Sequence, residues 1–205
     1  MKRVGVFAGS FDPIHDGHLA FAKSALSRGL DKVYFLVEPR PRRKQGVRSL
    51  EHRQNMVLAA IKSQPKLGMI ALGQARFSVL ETLPPLRARF KGQKLVLMFG
   101  DDVVKRMVDH MADWPHVDQL AKDTELMIAS RRNDHQDLIK QLEMMDKDYG
   151  LKFKYDFIEP NATDISSSRI RLSIKKHQPP AGLPAVVKNY ITKHKLYSTD
   201  STSSK

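Results

Sequence analysis

The 205 residues of the chain, with a mass of 23.3 kDa, suffice for one sizeable hydrophobic core, so we expect a single domain. With 35 Lys plus Arg against 22 Asp plus Glu, the chain has a formal charge of +13 and a pI of about 10.0. This charge favours polyanionic partners such as nucleotides, nucleic acid or a phospholipid surface. The alternative is a basic surface that contacts only solvent. The lack of cysteine excludes disulfides, thiolate metal sites and a cysteine nucleophile, and it suits a reducing cytoplasm.

The N-terminus predicts neither export nor membrane insertion. Two basic residues after Met1 lead directly into a short apolar run and a Gly-Ser turn, which is too short for a signal peptide or a membrane span. We therefore expect a cytoplasmic protein, and we interpret the glycosylation-like triplet at 161–163 as chance.

Strand-like and helix-like stretches alternate along the chain, which is typical of a single Rossmann-like α/β domain with a mostly parallel sheet flanked by helices. Short apolar runs predict strands over 4–8, 32–37, 69–72, 95–99, 126–129 and 153–158. Helical spacing predicts helices over 19–26, 49–63, 77–90, 101–111, 117–121 and 136–145, and two more that begin within 166–168 and at Pro184. We expect the domain to span 1–197 and the polar residues 198–205 to form a disordered tail.

Two local signals concern the helix boundaries. Ser49 is the expected N-cap of the helix over 49–63, because its hydroxyl can accept a hydrogen bond from a free backbone N–H. Pro84 and Pro85 are expected to interrupt or cap the helix over 77–90, because proline has no backbone N–H to donate. The chain shows no internal repeat and no second apolar core that would indicate a second domain.

The stretch VGVFAGSFDPIHDGHLAFAKSAL over 4–26 places His15 and His18 where a strand should become a helix. A metal is the weaker interpretation, because the histidines are three residues apart, glycine lies between them and no third ligand is close in sequence. An anion site needs a strand end, close approach of the backbone, a hydroxyl donor and a helix N-terminus with free N–H groups. The residues that supply the close approach and the hydroxyl are Gly9, Ser10 and Gly17.

A second anion-binding motif is predicted late in the chain. Ser166, Ser167 and Ser168 form a run of small hydroxyl residues at an expected helix N-terminus, where hydroxyls and free N–H groups can bind phosphate. Arg171 can reach the same phosphates, whereas Arg169 should point to a different face of the helix. The alternative is a serine N-cap followed by a solvated basic helix.

Together the two motifs resemble the signature of the nucleotidyltransferases that carry His-x-Gly-His after the first strand and Ile-Ser-Ser-(Ser/Thr)-x-x-(Arg/Lys) late in the chain. Here they read GSFDPIHDGH over 9–18 and ISSSRIR over 165–171, and the resemblance covers nearly the whole domain. It implies catalytic roles for His15, His18 and Arg171. The ATP-binding residues that it implies are Gly9, Ser10, Phe11, Gly17, Lys44, Ser166, Ser167 and Ser168.

Within that superfamily the chain looks most like the bacterial nicotinate or nicotinamide mononucleotide adenylyltransferases. The similar segments are SLEHR at 49–53, FSVLETL at 77–83, FGDD at 99–102, LPAVVKNYI at 183–191 and LY at 196–197. The resemblance implies that ATP and the mononucleotide are joined into the dinucleotide, with release of pyrophosphate, in NAD biosynthesis. It places the mononucleotide at Thr82, Gly100, Asp102 and Trp114, with Asp102 as the family aspartate and Asp101 pointing away.

The implied reaction needs no covalent intermediate and no strong base, because the attacking group is already an anionic phosphate. His15 and His18 would contact the α- and β-phosphates, Lys44 would add charge, and Arg171 with Ser167 and Ser168 would hold the pyrophosphate. Mg²⁺ that bridges the phosphates is the expected metal, and no protein metal site is expected.

Several positions depart from the family pattern or allow two interpretations. Ser78-Val79 stands near the position of the family's usual Tyr-Thr pair, and Pro41-Arg42-Arg43-Lys44 stands where the family has Pro-x-His-Lys. The choice between nicotinate (acid) and nicotinamide (amide) mononucleotide as the substrate therefore stays open. Trp114 could stack on the nicotinate ring or anchor the core. Arg131-Arg132 could face a ligand or lie in a solvated loop. The basic run at 40–44 could form a loop that binds phosphate or a patch on the surface.

Two rival functions stay open at this point. One is a phosphopantetheine adenylyltransferase or another transferase of the superfamily, which would not be expected to share the closing segment at 183–197. The other is a non-catalytic nucleotide- or RNA-binding protein, against which the intact histidines, serines and Arg171 argue. RNA binding would also need aromatic residues among the basic clusters, and only 7% of the chain is aromatic. The expected partners are small-molecule substrates and no membrane, and self-association into a homo-oligomer stays open.

Overall fold

A computed structural model describes residues 1–41, 46–73, 76–111, 114–130, 135–159 and 165–198. Its centre is one sheet with the strand order β3-β2-β1-β4-β5-β6, in which every neighbouring pair is parallel. The strands are β1 (Arg3–Gly9), β2 (Lys32–Val37), β3 (Leu67–Ile70), β4 (Lys94–Gly100), β5 (Glu125–Ala129) and β6 (Lys154–Ile158). The predicted single Rossmann-like α/β domain is confirmed.

Helices cover both faces of this sheet. They are α1 (Asp16–Ser27), α2 (Leu50–Ile61), α3 (Val79–Arg89), α4 (Asp101–Asp109), α5 (Val117–Asp123), α6 (Gln136–Tyr149), α7 (Ser167–Lys175) and α8 (Ala185–Lys193). Successive side chains of a strand point to opposite faces, so β4 contributes Leu95, Leu97 and Phe99 to one core cluster and Val96 and Met98 to the other. The first cluster packs under α3 to α6, and the second packs under α1, α2 and α8.

The order of the strands places a cleft beside β1. The chain proceeds outward from β1 through β2 to β3, then returns to β4 on the other side of β1 and proceeds outward again. At such a switch point the loops that follow the two central strands diverge to opposite faces of the sheet, and ligands bind in the space between them. The loops after β1 and β4 therefore define where the site must lie.

Some of the predicted helix boundaries are confirmed and others are wrong. Ser49 is the N-cap of α2, because its Oγ accepts the N–H of His52 at 3.3 Å. Pro84 and Pro85 do not interrupt α3, which continues through both prolines. The carbonyls that lose their partners belong to Leu80 and Glu81, on the exposed side of the helix, where water can replace the missing N–H groups.

The ends of the described chain give two further facts. Pro184 is the N-cap of α8 rather than its first residue. Of the predicted tail, Ser198 donates a hydrogen bond to the Lys195 carbonyl at 3.2 Å, and 199–205 lie outside the described residues. Within the described ranges, no helix has the length and apolar character needed to cross a membrane.

Candidate active site

A cleft of about 640 Å³ opens at the switch point between β1 and β4. It brings together nearly all the residues predicted for the site, although they come from segments far apart in the chain. Those that line it are Gly9, Ser10, Phe11, His15, Gly17, His18, Gly100, Asp102, Trp114, Ser166, Ser167, Ser168 and Arg171. The predictions for Lys44 and for Arg131-Arg132 fall outside the described residues.

The loop between β1 and α1 is fixed by the buried ring of Phe11. Phe11 has a backbone φ of +46°, which is uncommon for a residue with a side chain, and its ring packs edge-on against Phe7 and Phe35. Gly9 allows this packing, because a Cβ there would lie 3.1 Å from the Phe11 ring. Glycine at position 9 therefore favours this packing of the loop, because a side chain there would press against the Phe11 ring.

The two histidines at the start of α1 form a stacked pair. Their ring centroids are 3.6 Å apart, and the His15 backbone N–H donates to His18 Nδ1 at 3.2 Å. Because Nδ1 accepts this bond, the ring proton of neutral His18 is on Nε2, which is then a donor. A histidine that binds metal through Nε2 ordinarily donates from Nδ1, so this geometry suits an anion rather than a metal. No cluster of three metal-ligating side chains occurs in the described part of the chain.

The serines at the start of α7 connect the two motifs directly. Ser166 is the N-cap, and its Oγ accepts the N–H of Arg169 at 3.2 Å. Ser167 donates its hydroxyl to the carbonyl of Pro13, in the loop after β1, at 3.0 Å. The hydroxyls of Ser166 and Ser167 are thus used in contacts within the protein. Ser166, Ser167 and Ser168 nevertheless all line the cleft.

Arg171 lies between the two motifs. Its Nη1 donates to the Asp12 carbonyl at 2.7 Å, and its Nη2 donates to Ser168 Oγ at 3.3 Å. Arg171 lines the cleft and the exposed Arg169 does not, as predicted from their different helix faces. A guanidinium in this position can bind the oxygens of a phosphate held at the α7 N-terminus.

On the β4 side the cleft is lined by aromatic rings. Phe77, Phe99 and Trp114 form a cluster with centroids 5.5 to 6.4 Å apart, and all three line the cleft. Trp114 packs against the core and also faces the cleft, so its two interpretations are compatible. The cluster offers a surface on which a flat heteroaromatic ring can stack.

Two predictions on this side of the cleft need correction. Thr82 is 1% exposed and does not line the cleft; its Oγ1 accepts the N–H of Ser78 at 2.9 Å, because this position of α3 faces the core. Asp101 also lines the cleft, contrary to the expectation that it points away. Asp101 is the first residue of α4, where its Oδ1 accepts the N–H of Asp102 at 2.8 Å, a favourable place for a carboxylate.

Sequence reasoning missed further residues of the cleft. On the β4 side, Phe77, Ser78 and Val79 line the cleft a few residues before Thr82. Arg106 also lines it, paired with Asp102 at 2.9 Å. Glu38 lines the cleft from the loop after β2, and the remaining missed residues with polar side chains are His110 and Ser130. The resemblance of the FSVLETL segment at 77–83 was used to predict Thr82 as a site residue, and the same resemblance could have indicated Phe77, Ser78 and Val79.

Arg53 was also missed, although it lies in the SLEHR segment. It is 0% exposed, so its guanidinium is entirely buried. It donates to four backbone carbonyls at 2.8 to 2.9 Å, those of Ser10, Glu38, Pro39 and Arg48. Burial lowers the pKa of Arg53, and the negative charges of Asp12 and Glu38 oppose that shift. Arg53 thus joins the loop after β1 to the loop after β2.

Known proteins resemble this chain over nearly its full length. The family model described as cytidylyltransferase-like matches residues 6–173. The chain is 30% identical to the "Probable nicotinate-nucleotide adenylyltransferase" of Bacillus pumilus and 29% identical to the nicotinate-nucleotide adenylyltransferase of Bacillus subtilis, over 97% of this chain and 100% of each relative. A solved structure of Plasmodium falciparum nicotinic acid mononucleotide adenylyltransferase complexed with NaAD shares the fold, with a TM-score of 0.75 at 18% identity over 96% of this chain and 98% of that one.

The chain therefore belongs to the cytidylyltransferase-like family, and it is a nucleotidyltransferase. Within that family its full-length relatives are the nicotinate-nucleotide adenylyltransferases. The resemblance recognised from the two motifs is confirmed.

Proposed function

We propose that this chain transfers the adenylyl group of ATP to nicotinate mononucleotide, giving the dinucleotide and pyrophosphate in NAD biosynthesis. The observation that carries the proposal is the contact between the two anion-binding motifs beside one cleft, with an aromatic cluster on the cleft's other side. The names of the relatives support the acid rather than the amide as the substrate. They also disfavour phosphopantetheine as the acceptor.

The reaction follows from the placement of the two substrates. A phosphate oxygen of the mononucleotide attacks the α-phosphorus of ATP, the new P–O bond forms, and the bond to the pyrophosphate oxygen breaks. His18 Nε2 donates to charge on the phosphates, and Arg171 with the α7 N-terminus binds the leaving pyrophosphate. Phe77 and Trp114 hold the nicotinate ring. Catalysis comes from alignment and charge stabilisation, since the nucleophile needs no deprotonation.

We further propose that Mg²⁺ enters on the triphosphate of ATP. The cleft offers histidine, hydroxyl and guanidinium donors, and in the described ranges it shows no carboxylate cage for a resident ion. Bound there, Mg²⁺ supplies positive charge to the phosphates. We also propose a cytoplasmic location and a catalytic domain over 1–197, which the burial of Tyr197 supports.

Product analysis tests the proposed function. The protein is incubated with ATP, Mg²⁺ and, separately, nicotinate mononucleotide, nicotinamide mononucleotide or phosphopantetheine, and the products are identified by mass. We expect the acid dinucleotide and pyrophosphate to form fastest. Transfer to phosphopantetheine alone would instead support the rival transferase, and ATP binding without any product would support a non-catalytic binder.

Arg171 and Arg169 form a matched pair for testing the triphosphate site. We expect Arg171→Ala to raise the KM for ATP roughly tenfold or more, because it removes charge-assisted bonds to phosphate. Arg169→Ala removes the same charge from another face, so it should change the KM little. Arg171→Lys should restore only part of the loss, because an ammonium lacks the two-pronged geometry of the guanidinium.

Steady-state kinetics at low and high salt separates specific from diffuse binding. High salt should screen the long-range charge of Arg169, so any difference in KM for ATP between the wild type and Arg169→Ala should shrink. The raised KM of Arg171→Ala should persist, because Arg171 binds phosphate by direct contact. Equal defects in the two alanine variants would show that 165–171 acts only as a basic patch.

A further inference from the structure

Asp12, in the loop between β1 and α1, places a buried carboxylate beside Arg171. The residue is 1% exposed, and its Oδ1 accepts the hydroxyl of Tyr197 at 2.6 Å and the backbone N–H of Arg48 at 3.3 Å. Its Oδ2 has no hydrogen-bond partner among the described residues and lies 3.8 Å from Arg171 Nη1. The same Nη1 donates to the backbone carbonyl of Asp12. One guanidinium nitrogen is therefore close to two acceptors of Asp12.

Tyr197 reaches Asp12 from the far end of the chain. Its ring is buried, with the guanidinium carbon of Arg48 5.2 Å from the ring centroid. Its backbone φ is +66°, in the left-handed region that residues with large side chains rarely adopt. Such strain persists where surrounding contacts over-determine a residue, and here the hydroxyl bond to Asp12 is one of those contacts.

The Tyr197 hydroxyl stays a donor at every pH at which the enzyme would be assayed. Burial and the adjacent Asp12 carboxylate raise the pKa of Tyr197 well above its ordinary value. The stabilisation from the hydrogen bond is therefore fully present below the unfolded tyrosine pKa of about 10, and it is lost only as the pH rises beyond that value.

Arg171 is shared between Asp12 and the phosphate site at Ser168. The Tyr197 hydroxyl occupies Oδ1, which fixes the rotation of the carboxylate and leaves only Oδ2 toward the arginine. Without the hydroxyl, Oδ1 keeps only the longer bond from the Arg48 N–H at 3.3 Å. The carboxylate is then held less firmly and can turn both oxygens to the guanidinium, because two parallel bonds to a carboxylate are its preferred geometry. Arg171 would then turn away from Ser168 and from the phosphates.

We propose that Tyr197 is a positioning residue for the nucleotide site, which acts through Asp12 to hold Arg171 toward the phosphates of ATP. This inference rests on the proposed function for the identity of the nucleotide. It assigns the described C-terminal residues 185–198 a role in binding ATP, although none of them lines the cleft.

Tyr197→Phe tests the inference because it removes only the hydroxyl, a loss that a protein of ordinary stability tolerates. The matched control is Tyr190→Phe, since Tyr190 also uses its hydroxyl in the C-terminal region but contacts His52 and Asn55 on α2. Calorimetry with ATP and Mg²⁺, without acceptor, measures the Kd. We expect Tyr197→Phe to weaken ATP binding about fivefold, the effect of one hydrogen bond, and Tyr190→Phe to leave it unchanged.

Double variants distinguish positioning from a general structural role. We expect the loss caused by Tyr197→Phe to persist in the Arg169→Ala background and to vanish in the Arg171→Ala background, because the hydroxyl acts through Arg171. The same loss in both backgrounds, or an equal loss with Tyr190→Phe, would overturn the inference. Because the readout is ATP binding, these outcomes are independent of whether the wild type forms the dinucleotide, which tests the proposed function separately.

Discussion

His18→Ala should lower kcat about a hundredfold while ATP binding weakens far less. In the proposed reaction, the His18 Nε2–H donor acts mainly on charge that grows as the α-phosphorus is attacked, and one such donor is typically worth ~3 kcal/mol in the transition state. The fold should be nearly intact, because the ring stacks at the edge of the cleft on His15 and the loop is fixed by Phe11. Steady-state kinetics with thermal unfolding on the same samples measures both effects.

His194→Ala is the matched control for this variant. His194 packs against the ring of Tyr190 at the end of α8 and does not line the cleft, so its removal should leave kcat unchanged. Normal turnover in His18→Ala would contradict the catalytic assignment. If His18 were instead a zinc ligand, a zinc-selective chelator would abolish wild-type activity in excess Mg²⁺, and we expect no such loss.

Arg53→Met should cost at least about 3–5 kcal/mol of unfolding free energy, the largest stability effect that we expect of any single substitution. Four carbonyls would lose their donor, one in a buried contact and three in part-buried contacts, and each buried group left unsatisfied costs about 1–3 kcal/mol. Part of that cost is relieved by local relaxation, because contributions of neighbouring groups are not additive. Urea denaturation followed by circular dichroism measures the difference.

Arg53→Lys and Arg87→Met make this test specific. Lysine keeps the charge, but its ammonium has three donors and no planar fork, so it should recover only part of the stability. Arg87 pairs with Asp123 at 2.9 Å on the exposed surface, where an ion pair is worth at most about 1 kcal/mol. Similar losses in the Arg53 and Arg87 methionine variants would show that the carbonyl contacts contribute little.

The sequence predicted the fold and most of the cleft because both depend on local signals. Apolar runs of strand length indicated the six strands, and glycines, hydroxyls and histidines at strand-to-helix junctions indicated the two anion motifs. Thr82 was misplaced because its position in α3 faces the core, although residues shortly before it line the cleft. Asp101 was misplaced because it and its neighbour Asp102, at the start of α4, both line the cleft. The prolines at 84 and 85 were misread because solvent on that side of α3 compensates for the lost N–H groups.

Arg53 and Tyr197 could not be predicted because their roles depend on contacts between distant segments. An arginine in a helix is ordinarily a surface residue, and only the fold shows that four carbonyls surround this one. Likewise, the hydroxyl of Tyr197 bonds to a residue 185 positions earlier in the chain. No spacing rule within one segment relates such pairs.

The contact between Ser167 and Pro13 joins residues 154 positions apart, and it has a consequence for synthesis on the ribosome. The loop after β1 emerges long before its partners at the start of α7, which lie more than 150 positions later in the chain. A nascent chain that already contains both histidines therefore has only half of the phosphate site. We expect the affinity for nucleotide to arise only when α7 has emerged and docked against this loop, so a chain truncated before α7 should not sequester ATP.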